Sequence, residues 1–230
     1  MIYLVPSFLA DEAIETIPPY VITAVKNCQV IFAENERTAR RFLKSMCKDI
    51  VIDSFEWFAI HKAEEEQIIN FRRKIREGKN IAIISEAGCP GIADPGQVLI
   101  HEAQQMNETV KPLVGPSAIL LALMASGMNG QYFSFCGYLP IETIERVKKI
   151  KQLEEESFKT TCTQIFIETP YRNNKMLETI LQSCKSTTKL CIAAALTSPN
   201  EWVKTKTIAD WKKEQTDLHK KPVIFLIKAG

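Results

Sequence analysis

The sequence predicts an α/β protein whose first half builds a parallel sheet, and three features carry that expectation. Short apolar, β-branched runs recur along the chain, helical patterns separate them, and each run is continuously hydrophobic instead of alternating. Continuous hydrophobicity belongs to strands with helices on both faces. At 230 residues with 46% hydrophobic side chains, the chain can bury one large core or two modest ones, so length leaves both counts open. Composition excludes disorder, and no apolar run reaches the roughly 18 residues of a membrane-spanning helix.

In chain order, the expected strands of the first half are Ile2 to Val5, Val30 to Ala33, Ile50 to Ile52, Ile81 to Ser85 and Val110 to Val114. Pro18 and Pro19 suit a helix start before Tyr20 to Asn27, and Gly78 suits the end of a helix from about Lys62 to Glu77. An apolar helix from Ile119 to Ala125, closed by Ser126-Gly127, borders the expected domain junction. The second half repeats the alternation, with strands at Phe133 to Cys136, Gln164 to Glu168, Leu190 to Ala195 and Val223 to Lys228. Between them lie helical patterns from about Glu142 to Glu156 and from about Asn173 to Cys184, and Glu154-Glu155-Glu156 reads as a solvated helix end.

Seven cysteines, odd in number and never in a C-x-x-C pair, argue for reduced thiols, against both a disulfide framework and a zinc site. His61, His101 and His219 stand far apart, so no metal centre is expected. Met1 to Val5 lacks the basic leader and long apolar region of a signal peptide, which makes a cytoplasmic location the expectation. A net charge of +2 does not announce a nucleic-acid binder and leaves the substrate open.

The most informative stretch is S-E-A-G-C-P-G-I-A-D-P-G, Ser85 to Gly96, between an apolar strand and a helix. Its glycines permit positive φ and close approach of a ligand to the main chain, while Pro90 and Pro95 stiffen the turns. Ligands of open parallel sheets bind beyond the carboxyl ends of the strands, where this loop must lie. It has neither the Lys-Ser/Thr ending of a phosphate loop nor the spacing of a dinucleotide fingerprint. A second stretch, L-V-G-P-S-A from Leu113 to Ala118, also turns a strand into a helix, although a serine there is ordinarily an N-cap.

With A-E-N-E-R (Ala33 to Arg37), F-C-G-Y-L-P (Phe135 to Pro140), I-E-T-P-Y-R (Ile167 to Arg172) and V-I-F-L-I (Val223 to Ile227), these stretches resemble the tetrapyrrole methylase superfamily over nearly the whole chain. The branch they resemble is that of the small-subunit ribosomal RNA (cytidine-2′-O)-methyltransferases. The resemblance implies two α/β domains, 1–115 with a five-stranded parallel sheet and 116–230 with a mixed sheet, and S-adenosylmethionine in the cleft between them. It further implies that Pro6, Gly88, Ile92, Ala93 and Asp94 line that cleft with Ser117 and Ala118 opposite, that Thr169, Ala194 and Pro222 lie near the adenine, and that the chain is a homodimer. This chain departs from the family's pattern at Pro6-Ser7-Phe8-Leu9, which lacks a glycine, and at Asn35, where an aspartate is usual. It also departs at Phe55 to His61, where a histidine-rich segment is usual, and at Glu142 to Lys149, where the usual basic tract is thinned.

Methyl transfer from a sulfonium is an in-line displacement that needs positioning more than it needs a metal. Asp94 is read as helping to fix the cofactor, with a turn-forming role as the alternative. Glu34, at the end of an apolar strand, is the candidate base for a hydroxyl nucleophile, with Arg37 beside it; a carboxylate there could equally pair with Arg37 or Arg40. Arg37, Arg40, Arg41 and Lys44 form one basic helix surface and Arg146, Lys148, Lys149 and Lys151 another, either of which is a phosphate-contact candidate or a solvated face. Arg40 and Arg172 are the substrate-binding candidates, and Trp57 and Phe58 could stack on an unpaired base or divide between core and surface. The leading expectation is an RNA 2′-O-methyltransferase acting on the small ribosomal subunit; the alternatives are a methylase of a tetrapyrrole-like small molecule and a non-catalytic cofactor-binding relative.

Overall fold

The computed structural model describes residues 1–11, 13–60 and 65–230. It divides into two compact units, Met1–Ser117 and Ala118–Gly230. The first holds strands β1 (Ile2–Val5), β2 (Val30–Ala33), β3 (Glu56–Ala59), β4 (Ile81–Ile84) and β5 (Val110–Pro112) and helices α1 (Tyr20–Lys26), α2 (Glu36–Met46), α3 (Ile68–Arg76) and α4 (Gln97–Gln105). All of its strand pairings are parallel, in the order β3-β2-β4-β1-β5.

Alternate residues of these strands feed two cores. Tyr3, Val5, Ile31, Ala33, Ala82 and Ile84 meet Val21 and Val25 of α1 and Phe42 and Leu43 of α2. Ile2, Val30, Phe32, Ile81 and Ile83 meet Phe71 and Ile75 of α3 and Leu99 and Ala103 of α4 on the opposite face. The helices following β1 and β2 therefore lie on one face and those following β3 and β4 on the other. Because β4 sits between β2 and β1, crossovers leave toward opposite faces at its carboxyl end, which opens a crevice there.

Ile50 to Ile52 is not a strand. Ile50 is buried, Val51 is exposed, and Ile52 opens a short 3-10 helix, Ile52–Ser54, that delivers the chain to β3. Edge strand β3 has one neighbour, so its mixed polar and aromatic composition hid it. Consecutive side chains of a strand point to opposite faces, and Trp57 and Phe58 divide accordingly: Phe58 stacks on Phe32, 4.8 Å between centroids, while Trp57 joins the α1–α2 side. The helix expected from Lys62 is described only from residue 65, a 3-10 turn leading into α3; Lys62 and His61 lie outside the described residues.

The second unit comprises α5 (Ala118–Ser126), β6 (Phe133–Tyr138), α6 (Thr143–Thr160), β7 (Thr163–Ile167), α7 (Asn173–Ser183), β8 (Lys189–Ala194), β9 (Trp202–Thr207), α8 (Ile208–Trp211) and β10 (Val223–Lys228). Its sheet is mixed, ordered β6-β7-β10-β8-β9, with β6 parallel to β7 and the remaining neighbours antiparallel. Strand β9 was missed because W-V-K-T-K-T, on an edge, carries too little apolar surface. Two charged side chains of α6 turn inward, contrary to their reading as surface groups. Arg146, only 2% exposed, donates to Ile141 O (2.8 Å), Thr179 Oγ1 (3.2 Å) and Thr143 Oγ1 (3.3 Å), so it belongs to no basic surface. Glu154 is buried, accepting from the Lys185 N–H at 2.8 Å and from the Thr188 hydroxyl. Both charges are tolerated in the interior because their hydrogen bonds are made.

Candidate active site

At the carboxyl ends of β1, β4 and β5 three loops are tied into one cradle. Ser7 pairs with Gly88 through both backbone hydrogen bonds, 2.8 and 3.2 Å, and the Ser7 hydroxyl donates to Ser85 O at 2.7 Å. Pro6, just after β1, rests against Gly115, just after β5, so closely that a Cβ on Gly115 would stand 2.2 Å from Pro6 Cβ. The Cys89 thiol reaches Pro116 O at 3.5 Å, and the Val114 N–H donates to the Tyr20 hydroxyl at 2.7 Å. Ser7 thus supplies a pin to the neighbouring loop.

Within Ser85 to Gly96 the backbone takes positive φ at Gly88 (70°), Gly91 (78°), Ala93 (64°) and Gly96 (120°). Ala93, which has a Cβ, stores strain in that conformation, as residues at ligand clamps do. The loop also leaves Ile92 exposed, and Val114 is exposed at the end of β5. A backbone-rich cradle with apolar side chains turned outward suits a ligand that is part apolar and part hydrogen-bonding.

Carboxylates gather beside it. Glu34, directly after β2, accepts from the Glu86 N–H with Oε2 at 2.9 Å, and Glu86 Oε1 accepts from the Thr38 hydroxyl at 3.0 Å. Burial, reinforced by the charges of Glu34 and Glu86, pushes the Asp94 carboxyl up to about 7. Asn35 caps α2, its Oδ1 accepting from Thr38 N at 3.3 Å, a task asparagine and aspartate perform equally well. Arg40 pairs with Glu36 (3.6 Å) and Asp53 (3.5 Å), not with Glu34, and Arg37 is exposed with no ion pair among the described residues. No group of His, Cys, Asp and Glu that could hold a metal ion occurs among the described residues.

In the second unit, Thr169, Ala194 and Pro222 come to one end of the sheet: Val223 pairs with Ala194, and Ala195 N donates to Pro222 O at 2.9 Å. Ala194 itself is fully buried, and the half-exposed Ala195, at φ 52°, carries the chain outward. Arg172 does not extend freely from its strand end. Its Nη2 and Nε both donate to Oε1 of the buried Glu168, at 2.6 and 3.0 Å, which raises the affinity of the guanidinium for its proton.

Residues 13–212 match the family described as Tetrapyrrole (Corrin/Porphyrin) Methylases. The chain belongs to this family. It is 30% identical over its whole length to the Ribosomal RNA small subunit methyltransferase I of Buchnera aphidicola subsp. Schizaphis graminum, spanning 78% of that protein. It is 33% identical over 76% of its length to the protein of the same name from Vibrio cholerae, of which it spans 60%. Crystal structures of the methyltransferase CobJ (TM-score 0.67, 15% identity, all of this chain and 94% of that one) and of the cobalt precorrin-4 methyltransferase CbiF (TM-score 0.61, 13% identity, 99% and 94%) share its fold. This tetrapyrrole methylase is a methyltransferase.

Four residues that organise the methylase's cradle escaped the sequence reading: Ser7, Tyr20, Thr38 and Glu86. Ser7 and Glu86 had a usable signal, since each lies within two residues of a buried strand's carboxyl end. Tyr20 bonds across 94 positions and Thr38 across 48, and no local pattern encodes such partners.

Proposed function

We propose that this methyltransferase uses S-adenosylmethionine to methylate a ribose 2′-hydroxyl of small-subunit ribosomal RNA. The observation that carries the reading is the pinned cradle at the β1, β4 and β5 ends, whose strained backbone and outward Ile92 and Val114 fit a ligand with methylene and methyl groups around a sulfonium and a hydrogen-bonding nucleoside. The names of the bacterial relatives support ribosomal RNA as the acceptor.

Pro6, Gly88, Ile92, Ala93, Asp94 and Ser117 of the first unit would hold the cofactor. When bound, S-adenosylmethionine supplies a methyl whose bond to sulfur breaks as a bond to the ribose oxygen forms. The chain's share is positioning and proton handling. Glu34, its carboxylate oriented by the Glu86 N–H, accepts the hydroxyl proton, and Arg37 offsets the negative charge of the neighbouring phosphate. Asp94, titrating at about 7, carries a proton for part of the time at neutral pH and then donates a hydrogen bond. Arg40 and Arg172 contact substrate, Arg172 from a guanidinium already fixed by Glu168. Methylation of ribosomal RNA would take place in the cytoplasm, and the protein is proposed to act there as a homodimer.

The reading is tested with labelled methyl, using small ribosomal subunits and a small-molecule extract from a strain lacking this protein as acceptors. Label in RNA, abolished by Asp94→Ala, is expected. Label confined to the extract moves the substrate to small molecules, and cofactor binding without transfer to either marks a non-catalytic relative. Sedimentation showing only monomer ends the dimer proposal.

A further inference from the structure

We propose that the exposed face of α2, together with Trp57 of β3, is a track for single-stranded RNA, on which an unpaired base stacks over the Arg40–Trp57 pair and the phosphates lie on Arg37, Arg41 and Lys44. This rests on RNA being the substrate and adds where the strand leaves the site.

Three observations converge. The first is concentration of charge. Eleven-residue α2 carries Arg37, Arg40, Arg41 and Lys44 against the single carboxylate Glu36, in a chain whose overall charge is only +2. Separations of three and four place these cations along one side of the helix. Arg37 and Arg41 are exposed without ion pairs among the described residues, and Lys44, also exposed, donates to Lys48 O at 3.0 Å. By contrast, Arg146 of α6 is buried.

The second is a flat, fixed platform. Arg40 Cζ lies 4.5 Å from the centroid of the Trp57 ring. The ring is held by its Nε1–H donating to Ile52 O at 3.1 Å and by the edge-on ring of Phe55. A guanidinium seated on an aromatic ring offers its outer plane to a base, and bases are available for such stacking only where they are unpaired. The carboxylates facing Arg40, Glu36 at 3.6 Å and the 95% exposed Asp53 at 3.5 Å, form open pairs that a phosphate can replace.

The third is continuity with the chemistry. Thr38 joins Glu86, and Glu86 holds Glu34, so the first turn of α2 adjoins the candidate proton acceptor. From Arg37 to Lys44 the track runs about 10 Å outward at about 1.5 Å per residue.

The test is fluorescence anisotropy of a labelled single-stranded oligocytidylate over a series of salt concentrations, with cofactor affinity measured on the same preparations. Arg41→Glu combined with Lys44→Glu is expected to weaken binding at least tenfold and to reduce the salt slope by about 1.4, at about 0.7 per lost contact. Trp57→Ala is expected to weaken it about tenfold with the slope unchanged. Trp57→Phe, which keeps a ring, is expected to retain most of the affinity and guards against a folding defect. An equal loss from Lys148→Glu with Lys149→Glu, unchanged binding in the α2 pair, or equal affinity for a duplex overturns the track. RNA binding that follows these expectations without methyl transfer leaves the track standing and ends the methylation reading. Transfer whose KM for RNA is unmoved by the α2 pair does the reverse.

Discussion

Asp94 stands half-buried beside Glu34 and Glu86, and the loss of hydration together with two like charges lifts its carboxyl from 3.8 to about 7. A carboxyl raised in the folded state binds its proton more tightly there than in the unfolded chain. Between about pH 4 and pH 7 stability therefore falls as pH rises, with no further loss from this group above that window. Asp94→Asn removes the cost: thermal melts are expected to show the variant roughly 2–4 °C more stable at about pH 8 and no more stable at about pH 4. An equal shift at both pH values refutes this account. Gly115 offers a second measurement. The Cβ of Gly115→Ala would meet Pro6 Cβ at 2.2 Å and Cγ at 2.4 Å, and urea unfolding is expected to show a loss of about 2–3 kcal/mol.

Element ends show how local chemistry and distant partners share the work. After α3, Gly78 at φ 71° donates its N–H to Ile75 O and Lys79 donates to Lys74 O, the paired bonds that close a helix through a left-handed residue. A Cβ at Gly78 meets nothing within 4 Å, so Gly78→Ala is expected to cost only the backbone strain, about 1 kcal/mol, less than Gly115→Ala. This cap was legible because it is local. Glu154 was misread because Lys185 and Thr188, its partners, lie 31 and 34 positions away. Glu154→Ala leaves the buried Thr188 hydroxyl unpaired and removes the acceptor of the Lys185 N–H, and chemical denaturation is expected to register a loss of about 2 kcal/mol.

Across the molecule, seven free thiols report on the integrity of both units. Burial pushes the Cys28 and Cys184 thiols up to about 12 and Cys191 to about 11, so little reactive thiolate forms there near neutral pH. Against a disulfide reagent at about pH 8, the half-buried Cys47, Cys89 and Cys136 are expected to react first. The buried Cys28, Cys162, Cys184 and Cys191 are expected to follow only as the chain unfolds, and full modification of the native protein in one fast phase contradicts the buried assignment.

Hydrophobic runs and turn chemistry, carried by neighbours in the chain, were enough to place β1, β2 and β10 at their observed bounds and to mark Ser85 to Gly96 as a loop shaped for a ligand. The edge strands β3 and β9 escaped, since a strand with one neighbour needs less apolar surface than a central one. Nor could local pattern reveal that Ser7 would pin Gly88, that Arg146 and Glu154 would face inward, or that Arg40 would settle on Trp57. Those outcomes depend on partners brought together by the crossovers of the sheets, and only the tertiary structure decides where a charge meets its desolvation and its compensating hydrogen bonds.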